Sequence, residues 1–134
     1  MGRGAGWRRW GPVLVWLEVI WTVNSMPRNV YPRAMGKSSS SDHGAHLALY
    51  LPLGFVLGRA FAPGRTGMVA ALLGVLVAVV AGGALGGLDE WHKRLVPGRH
   101  GEFADWGLDL IAVAAGSAVA LWLAFVRSRK AASS

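Results

Sequence analysis

Two apolar runs of membrane-crossing length, residues 67–88 and 105–126, bracket a short and heavily charged segment. The first run contains no charged residue, and the second carries only Asp105 and Asp109, both near its start. A helix needs about 20 apolar residues to cross the hydrocarbon core of a bilayer, and a buried helix of a soluble protein makes do with fewer. The chain therefore reads as an all-α, polytopic membrane protein rather than a soluble helical bundle. Its 134 residues allow one domain, 53% of them are hydrophobic, and that apolar content is gathered into long runs instead of alternating with polar residues.

The segment between the runs crowds Asp89, Glu90, His92, Lys93, Arg94 and Arg99 together, with Pro97 and Gly98 before the last of them. Charge held between two spanning helices is costly to maintain, so it marks a candidate functional site. Two further spans complete the picture. The expected bundle is compact, with four transmembrane helices at about 7–26, 44–61, 67–88 and 105–126 and a polar third loop. It forms a single membrane domain at 1–126, followed by a short basic cytoplasmic tail at 127–134. The first span is the weakest, since Glu18 interrupts it. Its basic start and apolar stretch resemble a signal peptide, yet Glu18 and the lack of a small-x-small site before Pro27 favour an uncleaved helix. Pro52 predicts a kink in the second span.

Basic residues set the expected orientation. Eight Lys and Arg fall in the N-terminus, the second loop and the C-terminus, against six in the first and third loops. Short loops rich in Lys and Arg stay inside, which places both termini in the cytoplasm of a multi-pass cell-membrane protein and both polar loops outside. The same distribution accounts for the net charge of +7: the basic residues sit at helix ends, where anionic headgroups lie, so the lipid bilayer is the expected partner and nucleic acid is not. Trp7, Trp10, Trp91, Trp106 and Trp122 fall near span ends, as an aromatic belt does. There is no cysteine, hence no disulfide or thiolate metal site.

Helical spacing predicts the inward faces. On the third span Ala70, Gly74, Ala78, Gly82 and Gly86 recur every four residues, a stripe that lets helix backbones approach closely in lipid. One more turn reaches Glu90, then Arg94. On the fourth span Asp105, Asp109, Ala112, Gly116 and Ala120 share a face. On the second, Asp42, His46, Tyr50, Gly54 and Gly58 are spaced by four. Gly74, Gly82, Gly86 and Gly116 are thus expected at helix contacts, and the three polar ends are expected to converge. The candidate cluster is Asp42, His46, Tyr50, Glu90, Lys93, Arg99, Asp105 and Asp109. Asp109 lies one turn inside the boundary and needs a partner such as Arg99, or a proton. Glu18 has no evident partner, and Arg59 reaches it only with a fully extended side chain.

These residues, in this order, resemble the VanZ-like family of small membrane proteins. Asp42-His43-Gly44-Ala45-His46 followed by Tyr50 and Leu53-Gly54 is similar to the family's first signature. Asp89-Glu90-Trp91-His92-Lys93, Pro97-Gly98-Arg99 and the helix from Asp105 to Asp109 are similar to its second, and Ser25-Met26-Pro27 resembles the end of its first helix. The chain departs from the pattern with His43 for Lys, Lys93 for Gln, Asp109 for Asn and Ala112 for Gly. An ion pair of Lys93 with Asp109 would replace an amide contact. The resemblance implies a four-helix membrane fold with an outward polar face and, for the family's founding member, low-level resistance to teicoplanin.

Three classes of chemistry suit the cluster. Binding or shielding a cell-envelope lipid or a glycopeptide antibiotic would use Arg99 as a bidentate anion clamp on its Pro-Gly turn. Catalysis on a lipid-linked phosphate would use Glu90 and Asp105 as acid and base, with His46 as a proton shuttle. The sequence favours binding, because it offers no nucleophile with a clear base and no glycine-rich phosphate loop. A metal site would draw on Asp42, His43, His46, Glu90 and His92, but their spacing matches no recognised zinc motif, and no cofactor is implied. A structural cluster or a transporter subunit is the remaining alternative. The sequence does not fix an oligomeric state.

Overall fold

Helix α3 (Met68–Lys93) begins without a side-chain cap at Gly67 and runs on through the charged segment to Lys93. The helix runs on past the apolar run at 67–88: Asp89, Glu90 and Lys93 are helical, because nothing before Pro97 interrupts the backbone. After Lys93 the chain turns. Pro97 lacks the amide that a further turn would need, and Gly98 adopts φ 75, a left-handed conformation open to glycine at little cost. Arg99 N–H donates to Val96 O at 3.1 Å and closes the turn, with Pro second and a left-handed Gly third, as in a type II turn.

The computed structural model describes residues 3–27, 39–61 and 67–133, apart from the side chains of residues 3 and 39–42. Within these residues the other helices are α1 (Arg3–Asn24), α2 (Ser39–Phe61) and α4 (Phe103–Ala132). Helix α2 continues through Pro52 without a break. Helix α4 includes most of the expected tail, and Arg129 and Lys130 in its last turn complement the negative end of its dipole.

Glycine decides how closely the helices pack. A Cβ at Gly54 of α2 would collide with the Val113 backbone of α4, and one at Gly116 of α4 would collide with Leu51 O of α2. Two helices that each offer a glycine to the other's backbone can approach to direct contact, and Ser117 Oγ donates to Gly54 O at 2.9 Å across the junction. Helix α3 joins the pair through Gly82, where an added Cβ would lie 2.6 Å from Val113 Cγ1. The inward stripe holds at Gly74, Ala78, Gly82, Gly86 and Glu90, but Ala71 is buried in place of Ala70. Helix α1 lies against α2, with Trp16 Nε1 donating to Leu49 O at 2.6 Å.

The outer surface is apolar. Leu72, Leu73, Leu76 and Val80 of α3 and Ile111 and Trp122 of α4 are all exposed. Three helices are long and apolar enough to cross a membrane: His43–Phe61 within α2, then α3 and α4. Helix α1 is not among them.

Candidate functional site

The sequence reading turns the polar ends of the second, third and fourth spans inward and expects them to converge. The structure brings them together and buries them between the N-terminal part of α2, the C-terminal part of α3 and the start of α4. His46, Asp89, Glu90, Lys93, Asp105 and Asp109 are all buried, Lys93 at 2% exposure and Asp109 at 0%. Helical spacing brings them together: Glu90 and Lys93 are three residues apart, Asp89 and Lys93 four, Asp105 and Asp109 four, so each set projects from one face.

Lys93 is the central cation. Its ammonium donates to Glu90 Oε1 at 2.5 Å, lies 3.4 Å from Asp89 Oδ2 and is 3.1 Å from His46 Nε2. The other imidazole nitrogen of His46, Nδ1, is 2.6 Å from Asp109 Oδ1. We assign the Nδ1–H tautomer to His46, since Lys93 offers only donors: Nδ1 then donates to Asp109 and Nε2 accepts from Lys93. The expected direct pair of Lys93 with Asp109 is thus corrected, because His46 stands between them and no ion pair joins the two.

Asp105 Oδ2 is 3.4 Å from His46 Nε2, and the half-exposed His43 lies 3.8 Å from Asp105 Oδ1. Nε2 of His46 therefore faces both a cation and a carboxylate. Were His46 to take up a proton, Nε2 would become a donor to Asp105, and Lys93 would be left to Asp89 and Glu90. Four carboxylates (Asp89, Glu90, Asp105, Asp109) share one ammonium and one imidazole. Fully ionised, with His46 protonated, the group would still carry two more negative than positive charges.

Two buried polar atoms have no hydrogen-bond partner among the described residues, Tyr50 Oη and Asp109 Oδ2. Tyr50 lies one turn below His46 with the rings 13° from parallel. Gly86 lies beside Asp109, where a Cβ would be 3.3 Å from Oδ2. Asp42 is in the first turn of α2, but its side chain is outside the described residues. Arg99 is half-buried at the exit of the turn.

Sequence reasoning missed the contribution of α1. Asn24 is 2% exposed and donates through Nδ2 to Asp89 Oδ2 at 2.7 Å. The next residue, Ser25, places Oγ 3.1 Å from His92 Nε2, and Trp21 stacks on the His92 ring at 4.2 Å. A polar pair closing an apolar helix just before Pro27 is the signal that marks them. Glu18 is exposed on α1 and lines a cavity with Trp21, Asp89 and His92, whereas Arg59 lines a different cavity.

His46, Glu90 and Asp109 offer ligand atoms within 4.8 Å of one another, a donor set that suits a divalent cation. Lys93 already presents its ammonium to two of the three. Beside the cluster, Glu90 Oε2 accepts the Glu102 backbone N–H at 2.8 Å and fastens the start of α4 to α3. An apolar groove of about 630 Å³ runs from there between α3 and α4, with Glu90, Arg94 and Glu102 at its polar end and Gly83 and Leu110 on its floor.

No family model, no curated protein and no solved structure matches the chain. The likeness to VanZ-like proteins therefore rests on the motif residues themselves.

Proposed function

We propose that the chain is a four-span, VanZ-like protein of the cell membrane that binds the polar head of a lipid-linked cell-envelope component. In this reading both termini are cytoplasmic and the buried network lies toward the outer surface. The observation that carries the reading is the α3–α4 groove, which is apolar along its length and ends at Arg94, Glu102 and Glu90. A hydrocarbon chain suits the apolar floor, where Leu110 packs directly against Gly83. A phosphate or carboxylate on the head suits Arg94, which is exposed, and a hydroxyl or amine suits Glu102. Because Glu90 belongs to both the groove and the network, head binding and the His46–Lys93 contacts are coupled.

The test is crosslinking with a photoactivatable polyprenyl phosphate in membranes containing the chain. Crosslinks to α3 and α4 that Gly83→Leu and Arg94→Gln both abolish support the reading, and crosslinks unaffected by either variant refute it. Antibiotic resistance is a separate consequence, in which the chain shields the glycopeptide's target or holds the drug itself. Cells expressing the chain are then less susceptible to teicoplanin, and Arg94→Gln removes the difference.

Catalysis on the same lipid class is the second reading, favoured by the His46–Asp109 pair, in which a carboxylate orients an imidazole. Against it, Nε2 of His46 is turned to Lys93 and Asp105, and no hydroxyl nucleophile bonds to it among the described residues. Turnover of the lipid that Glu90→Gln or Asp105→Asn abolishes would establish the enzyme instead.

A further inference from the structure

Four arginines from three helices line one cavity at the end of the bundle opposite the acidic network. Arg8 and Arg9 come from the start of α1, Arg59 from the end of α2 and Arg127 from the last part of α4. The cavity measures about 520 Å³, and no acidic residue lines it. That volume is within the roughly 300–1,000 Å³ of ligand-binding clefts. Apart from Ser128 its other walls are apolar, built mainly from Pro12, Phe55, Val56, Leu123 and Ala124.

Among the described residues, no counter-charge holds these arginines. Arg8, Arg59 and Arg127 make no ion pair among the described residues, and the only acid of α1, Glu18, faces another cavity. Arg9 is fixed differently, with Nε donating to Ala60 O at the end of α2 and the guanidinium 5.8 Å from the Trp10 ring. Trp10 in turn packs edge-on against Phe61 at 5.1 Å. One guanidinium is thus anchored at the rim while three are without a counter-ion among the described residues. Like charges gathered this way repel one another unless an anion sits among them.

The geometry points to an anionic phospholipid as that anion, with its phosphate held among Arg8, Arg9, Arg59 and Arg127 and an acyl chain against Phe55, Val56 and Leu123. Two features favour a lipid over a free anion. The cavity lies where the apolar stretches of α2 and α4 end, which is headgroup depth for a spanning helix. It also continues from the arginines onto an apolar wall, which a free phosphate has no use for. The site is separate from the α3–α4 groove, so it stands or falls independently of the ligand proposed there.

The full chain, purified in a neutral detergent, is offered equal amounts of phosphatidylglycerol and phosphatidylcholine with matched acyl chains, and retained lipid is counted by native mass spectrometry. One phosphatidylglycerol per chain is expected in preference to phosphatidylcholine. Retention falls about five-fold for each of Arg59→Gln and Arg127→Gln, and roughly 25-fold for the pair. Arg129→Gln, on the same helix end but outside the cavity, leaves retention unchanged. Ala124→Leu fills the wall, keeps every charge and also weakens retention, which separates loss of the site from loss of the fold. Equal retention of the two lipids overturns the proposal. So does displacement by inorganic phosphate at the same concentration, or an Arg129→Gln effect as large as that of Arg59→Gln.

Discussion

His46 Nδ1 lies 2.6 Å from Asp109 Oδ1, and both side chains are almost sealed from solvent. This contact joins α2 to α4, and Lys93 extends it to α3 through the other imidazole nitrogen. Three helices therefore close around a shared set of charges, and removing one charge leaves the others buried without a partner. Breaking a buried pair from one side typically costs about 3–5 kcal/mol. Lys93→Gln is expected to destabilise the protein by about that much, and adding Glu90→Gln is expected to recover a large part of the loss. Thermal unfolding of the two single variants and the double in detergent measures the coupling; additive effects would mean that the pair acts independently.

The donor set around the ammonium gives a second prediction. Zn²⁺ takes imidazole nitrogen and carboxylate oxygen at roughly 2.0–2.2 Å, and the ligand atoms of His46, Glu90 and Asp109 lie within 4.8 Å of one another. With Lys93 truncated, the three have only to close in slightly. Micromolar Zn²⁺ should raise the melting temperature of Lys93→Ala and leave the wild type unchanged. A rise of equal size in the wild type would show that the lysine does not hold the cation position.

Much of this arrangement was legible in the sequence, because a period of four residues is a strong signal. His46, Tyr50, Gly54 and Gly58 are buried as their spacing predicts, and so are Asp105, Asp109, Ala112, Gly116 and Ala120. The polar ends of α2, α3 and α4 meet as expected. Hydropathy marks the apolar run of α3 only as far as Leu88, while the helix itself continues to Lys93. A helix needs only an unbroken backbone, and the i,i+4 approach of Asp89 and Lys93 exists because the helix continues. The partner of each charge was not legible for a related reason: it lies on another helix, at no fixed spacing in the sequence. Asn24 lies 65 residues from Asp89, and no local pattern links the two.

Glycine provides the third prediction, with an internal control. Alanine at Gly54 or Gly116 would drive a methyl group into the backbone of the facing helix, which has no way to give except by moving apart. Overpacking of this kind costs typically about 1–3 kcal/mol, and these sites should reach the upper end. Gly107 has nothing within 4 Å of an added Cβ and sits inside α4. Gly107→Ala should stabilise by roughly 0.5–1 kcal/mol through lost backbone freedom in the unfolded chain. Destabilisation by all three alike would argue against glycine-mediated contact between α2 and α4.

Tyr50 separates structure from function. Its hydroxyl is buried beside the Asp89 carboxylate but makes no hydrogen bond of good geometry among the described residues, so it adds little to the resting fold. Removing such a group while keeping the ring is expected to be neutral or to stabilise by up to about 1 kcal/mol. Tyr50→Phe should therefore unfold at the same temperature or higher. A loss of more than 1 kcal/mol would mean that the hydroxyl does have a partner in the folded protein.

The arrangement in the membrane is the last prediction. Helix α3 has 26 residues and at about 1.5 Å per residue runs for roughly 39 Å, long enough for its two ends to reach opposite faces of a bilayer. With no native cysteine, single cysteines report each end without background. Leu95, 65% exposed beyond the C-terminal end of α3, reports the acidic network, while Gly67 and Ser133 report the arginine end. Gly4 has open space around it and tests α1, whose start lies at the arginine end through the Arg9–Ala60 contact. An impermeant thiol reagent applied to intact cells should label position 95 and spare 4, 67 and 133. Labelling of 4, 67 and 133 with 95 protected would turn the network toward the cytoplasm and remove envelope ligands from consideration. Labelling of 4 and 95 together, with 67 and 133 spared, would show that α1 does not cross, leaving three spans and an exposed Glu18 at the membrane surface.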